Sequence, residues 1–304
     1  MIRNFVCGFV LIILLTGCGA GKSREITDRA GIKVTINRPI NRIISTAPSN
    51  TEIIADLGLA HKLVAIDRHS VNVKAASGNP EIPAGLPLLD FFFPAAELII
   101  NLDPDIIIAS GHNATGTGND PFRLLREAGI PVVYIPMSDS IDGIYEDIAF
   151  IAGLLDAEEE GERLIASMKE EISKLPSPQP PAPNPQTVYF EVSAAPEMIS
   201  FGKGSFIDSM ISAVGAVNIF AEDSWIVNPG AESIIDRNPD VIFTNVNYID
   251  DPVGEIKSRL GFKHINAVIN NRIYQIDNDS SSRPSARIIL ALRQMAQALY
   301  QERQ

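Results

Sequence analysis

The chain has 304 residues, 45% of them apolar and 20% charged, and carries a formal net charge of −12 at pH 7. Such acidity excludes a nucleic-acid binder, which must attract phosphates, and suits a partner with a basic face. Two cysteines exclude a disulfide framework, and the length accommodates two domains with cores of their own.

The first segment is a sorting signal. Arg3 precedes an apolar run from Phe5 to Leu15, and the sequence Leu15-Thr16-Gly17-Cys18 follows. A positive start, a short apolar core and a small-residue cleavage site predict a signal peptide over 1–17, too short to span a bilayer. The run ending in Cys18 resembles the bacterial lipobox, in which that cysteine is lipidated and becomes the first mature residue. Acyl chains on Cys18 would hold the protein at a membrane of the cell envelope, facing the periplasm or the exterior. Cys7 leaves with the signal, so no disulfide or cysteine-metal site is expected. Residues 18–23 form a short tether.

Residues 24–155 read as a first lobe. Predicted strands at 42–46, 62–66, 105–110 and 132–135 alternate with predicted helices at 49–57, 94–102, 121–128 and 141–154. That alternation gives a mostly parallel sheet with helices on both faces. Residues 156–175, DAEEEGERLIASMKEEISKL, predict one helix, because Leu164, Ile165, Met168, Ile172 and Leu175 fall three to four apart. Asp156 is its expected N-cap, with Glu159 reaching back as in a capping box. Glu159 with Arg163 and Glu170 with Lys174 form i,i+4 pairs. The proline-rich stretch 176–185 cannot continue a helix and reads as a stiff surface connector. A second lobe, 176–304, resumes with a strand at 187–192, a helix at 206–214, a strand at 272–276 and a closing helix at 285–300.

The flanks of the central helix repeat each other. PAAELIINLDPDIIIAS at 94–110 aligns without gaps on PGAESIIDRNPDVIFTN at 229–245. Pro94, Ala96, Glu97, Ile99, Ile100, Pro104, Asp105 and Ile107 meet Pro229, Ala231, Glu232, Ile234, Ile235, Pro239, Asp240 and Ile242. Each copy predicts a short helix, a Pro-Asp turn and a buried parallel strand. Two common helix-turn-strand units could match by composition alone, but eight identities in register predict a pseudo-symmetric pair of lobes.

Ligands of such sheets bind beyond the carboxyl ends of the strands, here in a cleft shared by the lobes. The loops that qualify are 45–50, 67–70, 90–93, 111–119, 200–205, 223–228, 245–248 and 277–283. They carry Phe91, Phe92 and Phe93 in succession, Phe201 before a glycine turn, and Trp225, the single tryptophan. Any one ring could simply cover a loop base; aromatics on three different loops point to walls for a large flat or hydrophobic ligand. The glycine-rich stretch 111–119 lacks the Gly-Lys-Ser/Thr ending of a phosphate loop. The Gly202-Lys203-Gly204-Ser205 turn lacks the spacing of a nucleophile elbow. His61, His69, His112 and His264 have no metal-ligand spacing, and only His69 and His112 fall on cleft loops. Arg283, after a polar serine run, can reach an anionic ligand group or pin its own loop to a nearby carboxylate.

The segment RIISTAPSNTE from Arg42 to Glu52, the Glu97 and Glu232 repeats, and RPSARIIL from Arg283 to Leu290 resemble the substrate-binding proteins of ABC importers for vitamin B12 and ferric siderophores. The resemblance covers essentially the whole mature chain. It implies an α/β fold of two Rossmann-like lobes joined by a single long α-helix, the class III periplasmic-binding-protein fold, with little hinge motion. It implies a ligand between the lobes, a cobalamin or ferric siderophore, flanked by Phe93, Phe201 and Trp225. Arg68, His69, Tyr248 and Arg283 are further expected contacts from their places on the cleft loops, although the Asp67-Arg68-His69 loop departs from the tyrosine-bearing pattern of the vitamin B12 binders. It implies docking of Glu97 and Glu232 onto a permease dimer served by ATPase subunits. No enzymatic activity, resident cofactor or metal site is expected. Haem, with His69, His112 or Tyr248 as axial ligand, is the alternative ligand. An enzyme on the same paired-lobe fold is the rival class, against which stands the lack of a nucleophile–base signature.

Overall fold

The computed structural model describes residues 23–73, 76, 82–90, 94–111, 120–176 and 183–300. The signal segment, Cys18, Phe91, Phe92, Phe93, His112 and most of the proline-rich run lie outside these residues. The chain opens with an antiparallel hairpin absent from the sequence expectations, β1 (Arg24–Thr27) and β2 (Lys33–Ile36). Then come β3 (Ile43–Ser45), α1 (Pro48–Asp56), β4 (Leu63–Asp67), β5 (Leu88–Leu89), α2 (Ala96–Asn101), β6 (Ile106–Ser110), α3 (Arg123–Glu127) and β7 (Val132–Ile135). The strands pair in parallel in the order β5-β4-β3-β6-β7. Helices cover both faces, so β6 and β7 are buried along their whole length and read as apolar runs rather than alternations.

Two helices link this sheet to the next: α4 (Ile141–Leu154), capped by the Ser140 hydroxyl accepting from the Gly143 amide, and α5 (Glu158–Ser173). The helix expected over 156–175 is therefore α5, shorter at both ends, and Asp156 is not its cap. Asp156 instead takes a left-handed conformation, φ 56°, as the residue that ends α4, while the Ala157 amide closes back on the Ala152 carbonyl at 2.9 Å. Its carboxylate pairs with Arg24 at 3.2 Å, so the residue type that favours a cap served as a helix stop. The Glu159–Arg163 and Glu170–Lys174 pairs form, at 3.7 and 2.7 Å. Gly161 lets α5 lie close on α4, because a Cβ there would stand 2.5 Å from the Ala152 methyl.

The second sheet is built from β8 (Thr187–Glu191), β10 (Val217–Asn218), β12 (Val241–Thr244) and β13 (Ile273–Gln275), parallel in the order β10-β8-β12-β13. Between them run β9 (Ser200–Phe201), α6 (Phe206–Ala213), β11 (Ile226–Val227), α7 (Ala231–Arg237), α8 (Pro252–Ser258) and α9 (Asn266–Ile269). α10 (Asn278–Ser282) and α11 (Ile288–Tyr300) close the chain. α10 occupies a stretch expected as loop; Asp277 caps it by accepting from the Ser280 amide at 2.8 Å. No described helix is long and apolar enough to cross a membrane.

Taken from their first strands, both sheets follow the order 2-1-3-4, the first adding β5 as an edge. The repeated segments occupy equivalent places, α2–β6 and α7–β12. The residue before each repeated proline is left-handed, Asp103 at φ 41° and Asn238 at φ 44°. Each following aspartate ties its strand to the neighbouring one. Asp105 Oδ2 accepts from the Asn41 and Arg42 amides at 2.7 and 2.8 Å, and Asp240 Oδ2 accepts from the Thr187 amide and hydroxyl at 3.0 and 2.9 Å. One apolar core joins the lobes, running from Ile53 and Ile54 through Ile148 and Met168 to Met210, Leu292 and Met295. A shared hydrophobic core of this kind opposes large relative motion of the lobes.

Candidate functional site: the cleft between the lobes

The carboxyl ends of β3, β6 and β7 open onto a cavity of about 280 Å³ whose far wall belongs to the second lobe. Ser49, Asn50, His69, Ser110 and Asp147 line it from the first lobe, and Asn278, Ser282 and Arg283 from the second. Ile53, Ile135 and Met137 give it an apolar floor. Asp147, on its wall, and Asp67, behind His69, are both held by hydrogen bonds. Asp147 accepts from Ser138 Oγ at 2.5 Å and Arg29 Nε at 2.7 Å, and burial pushes its carboxyl up despite them. Asp67, at the end of β4, accepts from the His69 amide at 2.8 Å and from Ser70, whose hydroxyl lies 3.0 Å from Thr51 Oγ1. Burial raises Asp67 too, against the pull of Ser70.

Beside this cavity the lobes are bonded directly. Arg283 Nη1 donates to Glu52 Oε1 at 2.9 Å, and its Nη2 donates to the His69 carbonyl at 3.2 Å and reaches Asp279 at 2.8 Å. Ser285 Oγ sits 2.5 Å from the other Glu52 oxygen, and Arg287 Nε stands 3.8 Å away. Of the two roles open to Arg283, pinning to a carboxylate is the one this structure displays. Glu52 has no exposed surface, and burial pushes its carboxyl up to about 7 although Ser285, Arg283 and Arg287 all pull it down.

Among the described residues, the expected aromatic ligand contacts are Phe201, Trp225 and Tyr248, all on the second lobe. Phe201 lies on β9 and Trp225 directly before its partner strand β11, with ring centroids 5.7 Å apart at 72°, an edge-to-face contact. The pair depends on Gly202, where a Cβ would stand 2.6 to 2.8 Å from the carbonyl oxygens of Asp223, Phe220 and Ser224. Tyr248 is 65% exposed, and its phenol oxygen accepts from the Ala194 amide at 2.9 Å, which fixes the ring at the carboxyl end of the sheet.

The profile of the periplasmic binding protein family matches residues 43–280. The chain belongs to the periplasmic binding protein family. YvrC of Bacillus subtilis (strain 168), an uncharacterized ABC transporter substrate-binding lipoprotein, is 27% identical over 307 residues, covering 95% of this chain and 93% of its own. The vitamin B12-binding protein of Vibrio cholerae is 29% identical over 261 residues, covering 84% and 88%. Among solved structures, a possible iron-binding (periplasmic solute-binding) protein of Staphylococcus epidermidis ATCC 12228 superposes with a TM-score of 0.73 at 30% identity, covering 87% of this chain and 100% of that one. The two Rossmann-like lobes are those of the class III periplasmic-binding-protein fold.

In this periplasmic binding protein the expected ligand residues fall into two groups. His69 and Arg283 stand on the cavity wall, with exposed Arg68 beside His69. Phe201, Trp225 and Tyr248 stand on the second lobe and are not part of that wall as described. Phe93 lies outside the described residues. Glu97 and Glu232 are each the second residue of their helix, α2 and α7, and both are exposed. Neither helix has a side-chain cap, so each carboxylate answers the positive end of its helix dipole. Sequence reasoning missed Glu52 and Asp147 as site residues. A carboxylate directly before the buried pair Ile53 and Ile54 was the available signal for the first.

Proposed function

We propose that the protein is the ligand-capturing component of an ABC importer, holding a metal chelate between its lobes and delivering it to a permease dimer with its ATPase subunits. The observation that carries this reading is the cleft itself: two lobes of matching strand order, bonded across Glu52 and Arg283, with strand carboxyl ends framing a mixed polar and apolar cavity. The names of two relatives, one vitamin B12-binding and one possibly iron-binding, support the ligand class we infer, a cobalamin or a ferric siderophore. On this reading Phe201, Trp225 and Tyr248 form one aromatic wall, Arg68 and His69 contribute from the first lobe and Arg283 from the second, and Phe93 is a further ligand contact. Residues 24–155 and 176–304 act as the two lobes joined through the helix expected over 156–175. Glu97 and Glu232 meet basic sites of a two-fold permease, where charge steers association and fixes register. Residues 1–17 are removed and Cys18 carries the lipid that keeps the protein in the cell envelope. Haem is the second reading, favoured by His69 on the cavity wall.

Native mass spectrometry joined to a visible spectrum of the unheated, freshly purified protein tests the ligand class. A bound mass with a corrin or ferric charge-transfer band supports the first reading, and a Soret band supports haem. A colourless protein that takes up none of cyanocobalamin, ferrichrome or haemin contradicts both.

A further inference from the structure

Glu52 is sealed from solvent, yet it lies where the lobes meet. Burial alone pushes its carboxyl up, while Arg283 and Arg287 pull it down, and the neighbouring elements carry further titratable groups. α10 brings Asp279, which shares Arg283 Nη2, and the cap residue Asp277. β4 and its turn bring buried Asp67 and His69, whose carbonyl also draws on Arg283. α4 brings Asp147, paired with Arg29. α1 itself ends in Asp56. The guanidiniums that reach Glu52 among the described residues are Arg283, divided among three acceptors, and Arg287 at 3.8 Å. Desolvation of the carboxylate is complete while its Coulombic compensation is shared, and the balance favours the neutral acid.

The geometry suits that acid. Oε1 can accept from Arg283 as a carbonyl oxygen, while a proton on Oε2 points at Ser285 Oγ, a hydroxyl able to accept as well as donate. We propose that this seam is a proton-dependent latch between the lobes, which holds with Glu52 protonated and loosens as Glu52 ionises. A loosened seam returns Glu52 to water, where a carboxylic acid loses its proton at the ordinary range. The closed seam therefore binds the proton more tightly, and closure weakens as pH rises from that range towards about 7. Because Arg283 and His69 line the cavity, the latch bears on the width of the cleft.

Hydrogen–deuterium exchange on the full chain without ligand tests this, so its outcome is independent of which chelate the cleft holds. Exchange in segments 48–56 and 283–292, corrected for intrinsic rates, should quicken about tenfold between pH of roughly 5.5 and roughly 8, the response to one unit of linked pKa difference. Glu52→Gln, a neutral isostere, should keep slow exchange at both values. A wild-type response that is flat or of opposite sign overturns the latch, as does an unchanged response in Glu52→Gln. Where Glu52→Gln does not fold, Ser285→Ala, which removes the hydroxyl facing Oε2, is read in its place, and a pH response left unchanged by it overturns the latch.

Discussion

Glu52 and Glu191 are both sealed from solvent, and they are compensated in different ways. Glu191, at the end of β8, takes both Nη atoms of Arg259 at 2.5 and 3.0 Å, and Glu255 takes the rest of that guanidinium at 2.5 and 3.0 Å. Tyr189 adds its phenol at 3.2 Å, and every member belongs to the second lobe. Glu52 meets Arg283 through one nitrogen across the lobe boundary and shares it. Burial raises both carboxyls. Burial alone would lower Arg259, but Glu191 and Glu255 outweigh it and hold the guanidinium firmly charged. The difference teaches where this molecule is rigid. Bidentate pairing locks the inside of a lobe, and the looser pair sits between lobes, where a ligand must enter.

The largest expected effect breaks the rigid member. Arg259→Met leaves buried Glu191 and half-buried Glu255 without their cation and should cost about 3–5 kcal/mol in urea denaturation. Arg283→Met should cost less, about 1–3 kcal/mol, because Glu52 can take a proton and retains Ser285. Equal losses would erase the distinction. Gly202→Ala, which drives a methyl into three carbonyl oxygens, should cost about 1–3 kcal/mol and disturb the Trp225 emission; unaltered emission and stability would mean that the turn yields easily.

A finer effect is the pH dependence. Folding raises the Glu52 pKa, so its contribution to stability is full below the unfolded carboxylate range and is lost as pH rises through that range to about 7. Glu52→Gln should remove roughly 1–2 kcal/mol of this decline between those limits, read from denaturation midpoints across pH. Asp67, Asp147 and Glu191, raised in the same direction, supply the part that remains. The smallest effect on stability belongs to Glu97 and Glu232, the carboxylates proposed to dock. Glu97→Arg with Glu232→Arg should change it by no more than about 0.5 kcal/mol while abolishing complex formation with the permease. Normal uptake in that double variant would remove the docking role.

What the sequence disclosed follows from how local each cause is. The paired Pro-Asp turns were legible because proline and aspartate act on adjacent backbone, and Asp105 and Asp240 do the same work in both lobes. The α4 boundaries were legible from a serine cap and an apolar period. Asp156 misled because one residue type serves both as a helix cap and as a left-handed stop, and the turn between α4 and α5 needed the second. α10 was read as loop since Asn278–Ser282 has no apolar period; its helix rests on the Asp277 cap. The Glu52–Arg283 and Glu191–Arg259 pairs join residues 231 and 68 positions apart, and no periodicity carries such a distance. A cavity does lie at the strand ends, lined from the expected loops 45–50, 67–70 and 277–283, while its electrostatics emerged only from the packed structure.

The central claim is that a chelate binds between these lobes beside Trp225, and this residue is the single tryptophan in the chain. Its fluorescence, followed while cyanocobalamin, ferrichrome and haemin are each titrated in, tests the claim most directly. The account predicts saturable one-to-one quenching by one of the three, with affinity weakened by about 1 kcal/mol or more in Phe201→Ala. No saturable response to any of them, in protein shown to be folded and free of bound ligand, would contradict it.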